Sequence, residues 1–155
     1  MSGSGTTRPR RRYSFSKAPK RVYLEITRAC HLACSTCPIG AVPTRHPREM
    51  STDEIKGLVR EIHDFNNPPP ELVITGGDPL CRPDLDEIVA YASELGVRPV
   101  LWLGPTGHLT QKRLERLKDA GARVIALSLD HAEPEGHDRT HAPGAYKRTI
   151  EGLEA

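Results

Sequence analysis

The chain has 155 residues, of which 37% are hydrophobic and 27% are charged. This length predicts one domain, and this composition is typical of a protein with an ordinary apolar core. No stretch approaches the roughly 20 consecutive apolar residues of a membrane helix, so no membrane span is expected. Four cysteines are too few for a disulfide-stabilised scaffold of this length, which excludes that class.

Basic residues are concentrated at the N-terminus. The first 21 residues carry seven basic side chains and no acidic one, whereas residues 22–155 carry 15 basic and 20 acidic side chains, a net charge of −5. We expect residues 1–21 to form a disordered, solvated arm, which their composition favours over a nucleic-acid-binding arm. The arm lacks the apolar segment of a secretory signal, so we expect a cytoplasmic protein with reduced cysteines.

Beyond this arm, short β-type runs alternate with helical patterns. The first strand is predicted at residues 22–27, and a capping box from Ser51 to Glu54 begins the first helix. A second strand at 72–75 precedes a helix that begins near Asp84. The remaining predictions are the end of that helix at Gly96, a strand at 99–103, a helix from Thr110 to Gly121, a strand at 123–129 and a helix over 145–153.

This alternation defines the fold class. Strands separated by helices of this length predict βαβ units, and hence an α/β fold with a parallel sheet. A closed eight-unit barrel takes about 250 residues, and only four units are visible here. The sequence therefore predicts either a four-stranded sheet or a partial (β/α) barrel.

The order of residues within the strands predicts which way each side chain points. In the first strand Val22, Leu24 and Ile26 share one face, which we expect to pack under helices. The polar residues between them then face a barrel interior or a cleft. Ser128 and Asp130 end the fourth strand, at the edge where parallel sheets bind ligands.

Three cysteines, Cys30, Cys34 and Cys37, follow the first strand with the spacing C-x3-C-x2-C. A loop of this length brings three thiolates to one centre and leaves one coordination position open. This arrangement favours an iron–sulfur cluster over a structural zinc site, which normally has four protein ligands. The candidates for a fourth zinc ligand are His31, His46 and Cys81.

Together with two further motifs, this cysteine loop resembles the radical S-adenosylmethionine (SAM) superfamily. The run Thr75-Gly76-Gly77-Asp78-Pro79-Leu80 after the second strand is similar to that family's second signature, usually written Gly-Gly-Glu. The runs Ser128-Leu129-Asp130, His137-Asp138 and Gly144-Ala145-Tyr146 resemble the branch that often carries a SPASM domain. Residues 68–70 (Pro-Pro-Pro) and 82–85 (Arg-Pro-Asp-Leu) narrow the resemblance further within that branch.

The resemblance implies a fold, an activity and its cofactors. It implies a partial barrel with four of about six βα units, so we expect residues 22–155 to be a radical SAM core truncated at its C-terminus. The three cysteines would hold three irons of a [4Fe–4S] cluster, and the fourth iron would bind SAM. Reductive cleavage of SAM would then give a 5′-deoxyadenosyl radical that abstracts hydrogen from a peptide or small-molecule substrate, as in peptide or tetrapyrrole maturation.

This activity implies partners as well. A reductant must supply one electron, whereas no membrane partner is expected and nucleic acid is disfavoured. The alternative is a non-catalytic module, from a truncated paralogue, that binds an iron–sulfur cluster or zinc.

The resemblance also assigns cofactor-binding residues, although none with a catalytic role of its own. Gly76 and Gly77 would let the backbone approach SAM, and the Asp78 carboxylate would accept hydrogen bonds from its ammonium group. Taken alone, Gly-Gly-Asp also fits a tight turn, and Ser128 with Asp130 also fits a capping pair. The further expected contacts are Thr36, Pro79, Ser128 and Asp130, with Arg139 as a substitute for an arginine of the family.

Other side chains receive structural interpretations. Trp102 and Tyr91 are expected to be packing residues rather than cofactor contacts, and Cys81 to be a small, at least partly buried side chain. The histidines beyond the cysteine loop are expected to be solvated.

Overall fold

The computed structural model describes residues 19–64 and 68–155. Residues 1–18 of the predicted N-terminal arm therefore lie outside the described residues. The elements alternate as predicted. In chain order they are β1 (Arg21–Glu25), α1 (Thr52–Asp64), β2 (Glu71–Thr75), a 3-10 turn (Pro79–Cys81), α2 (Leu85–Glu94), β3 (Pro99–Leu103), α3 (Gln111–Asp119), β4 (Val124–Leu127), α4 (Pro134–Thr140) and α5 (Ala145–Glu154).

The four strands form one parallel sheet in the order β1-β2-β3-β4. This confirms the α/β fold class, and among the described residues the sheet stays open rather than closing into a barrel. Parallel strands that follow one another in sequence and in space bring all four carboxyl ends to one edge. The loops that follow the strands therefore meet at that edge.

One face of the sheet packs under the helices. Leu72, Ile74 and Leu101 are fully buried there, together with Ile55 from α1 and Ile88 from α2. The opposite face is open and bears aromatic side chains: Tyr23 is 54% exposed and Trp102 is 46% exposed. This confirms the predicted division of faces. Trp102 packs against Tyr23 on this open face, with ring centroids 6.1 Å apart.

Local capping fixes the helix boundaries. Ser51 and Glu54 form the predicted box, with Glu54 N 3.2 Å from Ser51 Oγ and Ser51 N 2.8 Å from Glu54 Oε2. Thr110 caps α3 by accepting from Arg113 N at 3.2 Å. Gly96 and Gly121 follow α2 and α3 with φ of 76° and 99°, as the predicted helix ends require.

Asp84 differs from its sequence-based interpretation. It precedes α2, but its side chain makes no cap hydrogen bond to the helix. Instead it accepts from Arg82 Nε at 2.9 Å and from Thr52 Oγ1 at 2.6 Å. Arg82 is only 1% exposed and also donates to the carbonyls of Ile26, at 2.9 Å, and Met50, at 3.0 Å. The pair therefore ties β1, α1 and α2 together beneath the sheet edge.

One helix, α4, was not predicted. It begins with Pro134 at its first turn and carries no periodic apolar residues, so its own residues show no helical pattern. The strand predicted over 123–129 is also shorter, because β4 ends at Leu127 opposite Leu103, the last residue of β3. Among the described residues, no helix is long and apolar enough to cross a membrane.

Candidate cofactor site

A cavity of about 360 Å³ lies at the carboxyl edge of the sheet. It is bounded by the cysteine loop, by the ends of β2, β3 and β4, and by the residue that follows α4. Eight of the predicted site residues line it: Cys30, Cys34, Thr36, Cys37, Gly76, Gly77, Ser128 and Asp130. Asp78, Pro79 and Arg139 are not among its lining residues. Trp102 and His141, which the sequence did not single out for this site, also line the cavity.

Backbone hydrogen bonds close the cysteine loop into a compact unit. Ala29 and Val42 form a parallel bridge at its base, where Cys30 N donates to Val42 O at 2.8 Å. A turn at its tip brings Cys37 N to 3.2 Å from Cys34 O. The tip is anchored to the end of α4, since Ser35 N donates to Thr140 O at 2.9 Å. The backbone therefore holds all three sulfurs beside the cavity.

The three thiols differ in their surroundings. Burial raises the pKa of Cys30 and of Cys34, and neighbouring sulfurs add to the effect. The pKa of Cys37 is lowered, chiefly because Ala41 N donates to its sulfur at 3.3 Å. Leu32 N likewise lies 3.4 Å from Cys30 Sγ. Backbone donors aimed at sulfur stabilise thiolates, which are the form that ligates metal.

The donor set fits a cluster better than a single ion. Among the described residues, two sets of His, Cys, Asp or Glu side chains have ligand atoms that all lie within 4.8 Å of one another, and the three cysteines are not one of them. A tetrahedral zinc ion needs sulfurs less than about 4 Å apart. All three cysteines are free of disulfide bonds and line one cavity. Three sulfurs that line one cavity but do not all lie within 4.8 Å of one another match the ligands of a multi-iron cluster.

The two glycines of the second motif allow a close approach between segments. A Cβ atom on Gly76 would lie 2.2 Å from Thr27 O, and one on Gly77 would lie 2.3 Å from Ala29 O. Gly77 N and Asp78 N donate to those same carbonyls, each at 2.8 Å. The glycines therefore fasten the strand that leads into the cysteine loop to the end of β2, and they also line the cavity.

The Asp78 side chain is buried and hydrogen-bonded within the loops next to the cavity. It is fully buried, and its carboxylate accepts from Leu80 N at 3.1 Å and from the Thr106 hydroxyl. Burial raises the pKa of Asp78, although these hydrogen bonds oppose the shift. These contacts are those of a tight turn, the alternative interpretation of the motif, and a contact between Asp78 and SAM stays a prediction. Asp78 caps the 3-10 turn and ties it to the loop after β3.

Asp130, His141 and Cys34 form a hydrogen-bonded chain along the cavity wall. His141 Nε2 lies 2.6 Å from Asp130 Oδ2, and His141 Nδ1 lies 3.1 Å from Cys34 Sγ. Because a carboxylate only accepts, Nε2 donates to Asp130, and Nδ1 faces the Cys34 sulfur. His137 is fully buried and stacks on His141 with ring centroids 4.3 Å apart. The expectation that these two histidines are solvated was therefore wrong.

A family model agrees with this geometry. Residues 24–155 match the model of the radical SAM superfamily, which covers most of the chain. The chain therefore belongs to the radical SAM superfamily. Members of this superfamily are enzymes that use a [4Fe–4S] cluster and SAM, which confirms the cofactors expected from the cysteine loop.

Two curated relatives are similar to most of this chain. The chain is 36% identical over 147 residues to an AdoMet-dependent heme synthase of Nitratidesulfovibrio vulgaris, an alignment that covers 94% of this chain and 39% of the relative. It is 33% identical over 141 residues to an Fe-coproporphyrin III synthase of Methanosarcina barkeri, covering 90% of this chain and 34% of the relative. The chain thus spans less than half the length of these relatives.

The fold also matches a solved structure. SuiB of Streptococcus suis, bound to its precursor peptide SuiA, superposes with a TM-score of 0.70 at 17% sequence identity. The match covers 88% of this chain and 30% of SuiB. SuiB therefore contains the same arrangement of parallel sheet and helices.

Proposed function

We propose that this chain is the part of a radical SAM enzyme that binds the cluster and SAM, with Cys30, Cys34 and Cys37 as the ligands of three irons. The observation that supports the proposal best is the convergence of these sulfurs, Gly76, Gly77 and Ser128 on one cavity. When bound, such a cluster with SAM supplies one-electron cleavage of the sulfonium and a 5′-deoxyadenosyl radical for hydrogen abstraction.

The cavity walls suit SAM in size and polarity. A volume of about 360 Å³ is within the range of roughly 300–1,000 Å³ for small-molecule sites. Ser128 offers a hydroxyl and Asp130 a carboxylate for the polar groups of the ligand, and the Asp130 carboxylate suits its ammonium group. Apolar side chains on the other walls, including Leu32 and Leu103, exclude water from the sulfurs.

The substrate class that we propose is a tetrapyrrole. Two similar relatives are named for heme and for Fe-coproporphyrin III. On the open face of this sheet, beside the cavity, Tyr23 and Trp102 lie with ring centroids 6.1 Å apart and are both about half exposed. Exposed aromatic faces of this kind stack on a planar macrocycle. A separate reductant supplies the electron.

Product formation tests the cofactor proposal. We expect the chain, reconstituted anaerobically with iron and sulfide and reduced with dithionite, to convert SAM to 5′-deoxyadenosine. Cys34→Ala should lose this product, whereas Thr44→Ala, an exposed position just beyond the loop, should retain it. A colourless, zinc-containing protein that makes no product would instead support the non-catalytic module.

Tryptophan fluorescence tests the substrate class, because Trp102 is the single tryptophan of the chain. We expect Fe-coproporphyrin III to quench it saturably. Tyr23→Ala should weaken binding about fivefold, the effect of losing roughly 1 kcal/mol of aromatic contact. Tyr91→Ala, which removes a tyrosine on α2, should leave the dissociation constant unchanged. Quenching that does not saturate, or equal dissociation constants for the parent and Tyr23→Ala, would argue against this substrate class.

A further inference from the structure

A second cluster of metal-ligating side chains lies outside the cavity. His31, Cys81 and His108 have one ligand atom each, and these atoms all lie within 4.8 Å of one another. The rings of His31 and His108 meet edge to face with centroids 4.9 Å apart. None of the three lines the cavity described above. We propose that these residues form a separate zinc site with two imidazoles, one thiolate and a fourth position open to water.

The ligand set is the one that zinc prefers. Zinc is bound by neutral imidazole at about 2.0 Å and by thiolate at about 2.3 Å, which puts the ligand atoms of a tetrahedral ion roughly 3.3–3.8 Å apart. Both histidines are exposed, so rotation of their side chains closes the remaining gap. Three protein ligands leave the fourth position of a tetrahedral zinc ion to water.

The backbone that carries each ligand is held in place independently. Cys81 lies in the 3-10 turn that Asp78 caps, with Cys81 N 2.9 Å from Asp78 O. His108 follows a loop that is fixed at two points, by the hydrogen bond from Thr106 to Asp78 and by Arg148 Nε, which donates to Pro105 O at 2.9 Å. His31 follows Cys30 at the anchored base of the cysteine loop. Ligands on fixed backbone lose little conformational entropy when a metal binds.

The charges around the cluster favour a cation. The buried Asp78 carboxylate lies close enough that His31 and His108 act on its pKa. Burial raises the pKa of Cys81 to about 12, with further contributions from Asp78 and Cys30. A thiol in this position stays protonated until a cation compensates the thiolate charge. A bound zinc ion would compensate the charge of the Cys81 thiolate.

The site ties together the loops that follow β1, β2 and β3. All three loops also line the cofactor cavity, through Cys30 and Leu32 in the first, Gly76 and Gly77 in the second, and Gly104 and Pro105 in the third. Where these loops approach each other, a Cβ on Gly104 would contact Leu32 Cδ1 at 3.7 Å. A zinc ion bound to these three residues would therefore hold together the loops that line the cavity.

Metal analysis of the cluster-loaded chain tests this proposal. The chain is first reconstituted with iron and sulfide, so that the three cavity cysteines are occupied, then titrated with Zn²⁺ and desalted. We expect one zinc per chain in addition to the iron. His108→Ala and Cys81→Ser should each weaken zinc binding at least about tenfold with unchanged iron content, since even changes to residues behind metal ligands cost 10- to 100-fold. His63→Ala, on the last turn of α1, should bind zinc like the parent.

Cobalt provides a second measurement. With Co²⁺ in place of Zn²⁺, the parent should gain a thiolate-to-cobalt absorption band that Cys81→Ser lacks. Equal zinc content in the parent and in both variants, or no zinc in the parent, would overturn the proposal. The His108→Ala substitution changes an exposed side chain, so unfolding is not expected to confuse the result. Zinc binding does not depend on 5′-deoxyadenosine formation, so this proposal and the proposed function fail separately.

Discussion

The side chains of His141 and Cys34, 107 residues apart in sequence, meet in the cavity with Nδ1 3.1 Å from Sγ. The other ring nitrogen, Nε2, is hydrogen-bonded to the Asp130 carboxylate. The ring of His137 packs on that of His141 and restricts the rotation of the His141 side chain. The helix that the sequence did not predict, α4, brings His141 to this position. His141 therefore acts on Cys34 as a positioning residue.

Replacing His141 tests this role. We expect His141→Ala to release iron to a chelator about tenfold faster than the parent, because residues that orient metal ligands typically contribute 10- to 100-fold to affinity. His141→Asn, which retains a hydrogen-bonding group near the sulfur, should recover part of the loss. Iron release at the parental rate from both variants would show that the contact does not hold the ligand. His46→Ala, at an exposed histidine, is the matched control.

The glycine motif makes a prediction about stability. In Gly77→Ala the new methyl group would lie 2.3 Å from Ala29 O, so the end of β2 must move away from the segment that leads into the cysteine loop. We expect a loss of about 2–4 kcal/mol in the free energy of unfolding, measured by urea denaturation, since the change combines steric overlap with broken hydrogen bonds.

Gly57→Ala is the matched control for this substitution. Gly57 is an exposed residue inside α1, and a Cβ there would have nothing within 4 Å. Alanine in a helix interior should stabilise the chain by about 0.5–1 kcal/mol. If Gly77→Ala proved as harmless as Gly57→Ala, close packing at this position would not explain the motif.

The Arg82–Asp84 pair makes the chain sensitive to acid. Burial opposes ionisation of Asp84, but the hydrogen bonds from Arg82 and Thr52 outweigh it and lower the pKa of Asp84 to about 2. Because the folded-state pKa lies below the ordinary value of 3.8, the stabilisation is complete above about pH 4. It is lost as the pH falls towards 2.

We expect this pair to contribute about 1–2 kcal/mol, after allowance for solvent screening. Asp84→Asn should lower stability at pH 6, and its stability should fall less than that of the parent between pH 4 and pH 2. Thermal denaturation across this range measures both effects. Parallel pH profiles for the parent and Asp84→Asn would argue against the lowered pKa.

The alternation of strands and helices could be predicted because it depends on local signals. Capping residues such as Ser51 and Thr110 and the apolar faces of β1 and β2 are patterns within a few residues. The spacing of Cys30, Cys34 and Cys37 is equally local. The chemistry of their loop could therefore be predicted before its surroundings were known.

The missed features depend on contacts between distant segments. The helix α4 has no apolar periodicity, so nothing in its own sequence predicts that His137 is buried or that His141 reaches Cys34. The same limit applies to Asp78. Its position in a Gly-Gly-Asp motif does not reveal that Thr106, 28 residues later, donates to its carboxylate.

We propose that Cys30, Cys34 and Cys37 hold a cluster whose fourth iron is free to bind SAM. Electron paramagnetic resonance of the anaerobically reconstituted, reduced chain, recorded with and without SAM, tests it most directly. We predict the signal of a reduced [4Fe–4S] cluster that changes its g values when SAM is added and is lost in Cys34→Ala. A cluster signal that SAM leaves unchanged, or a chain that binds zinc in place of iron at these cysteines, would contradict the claim.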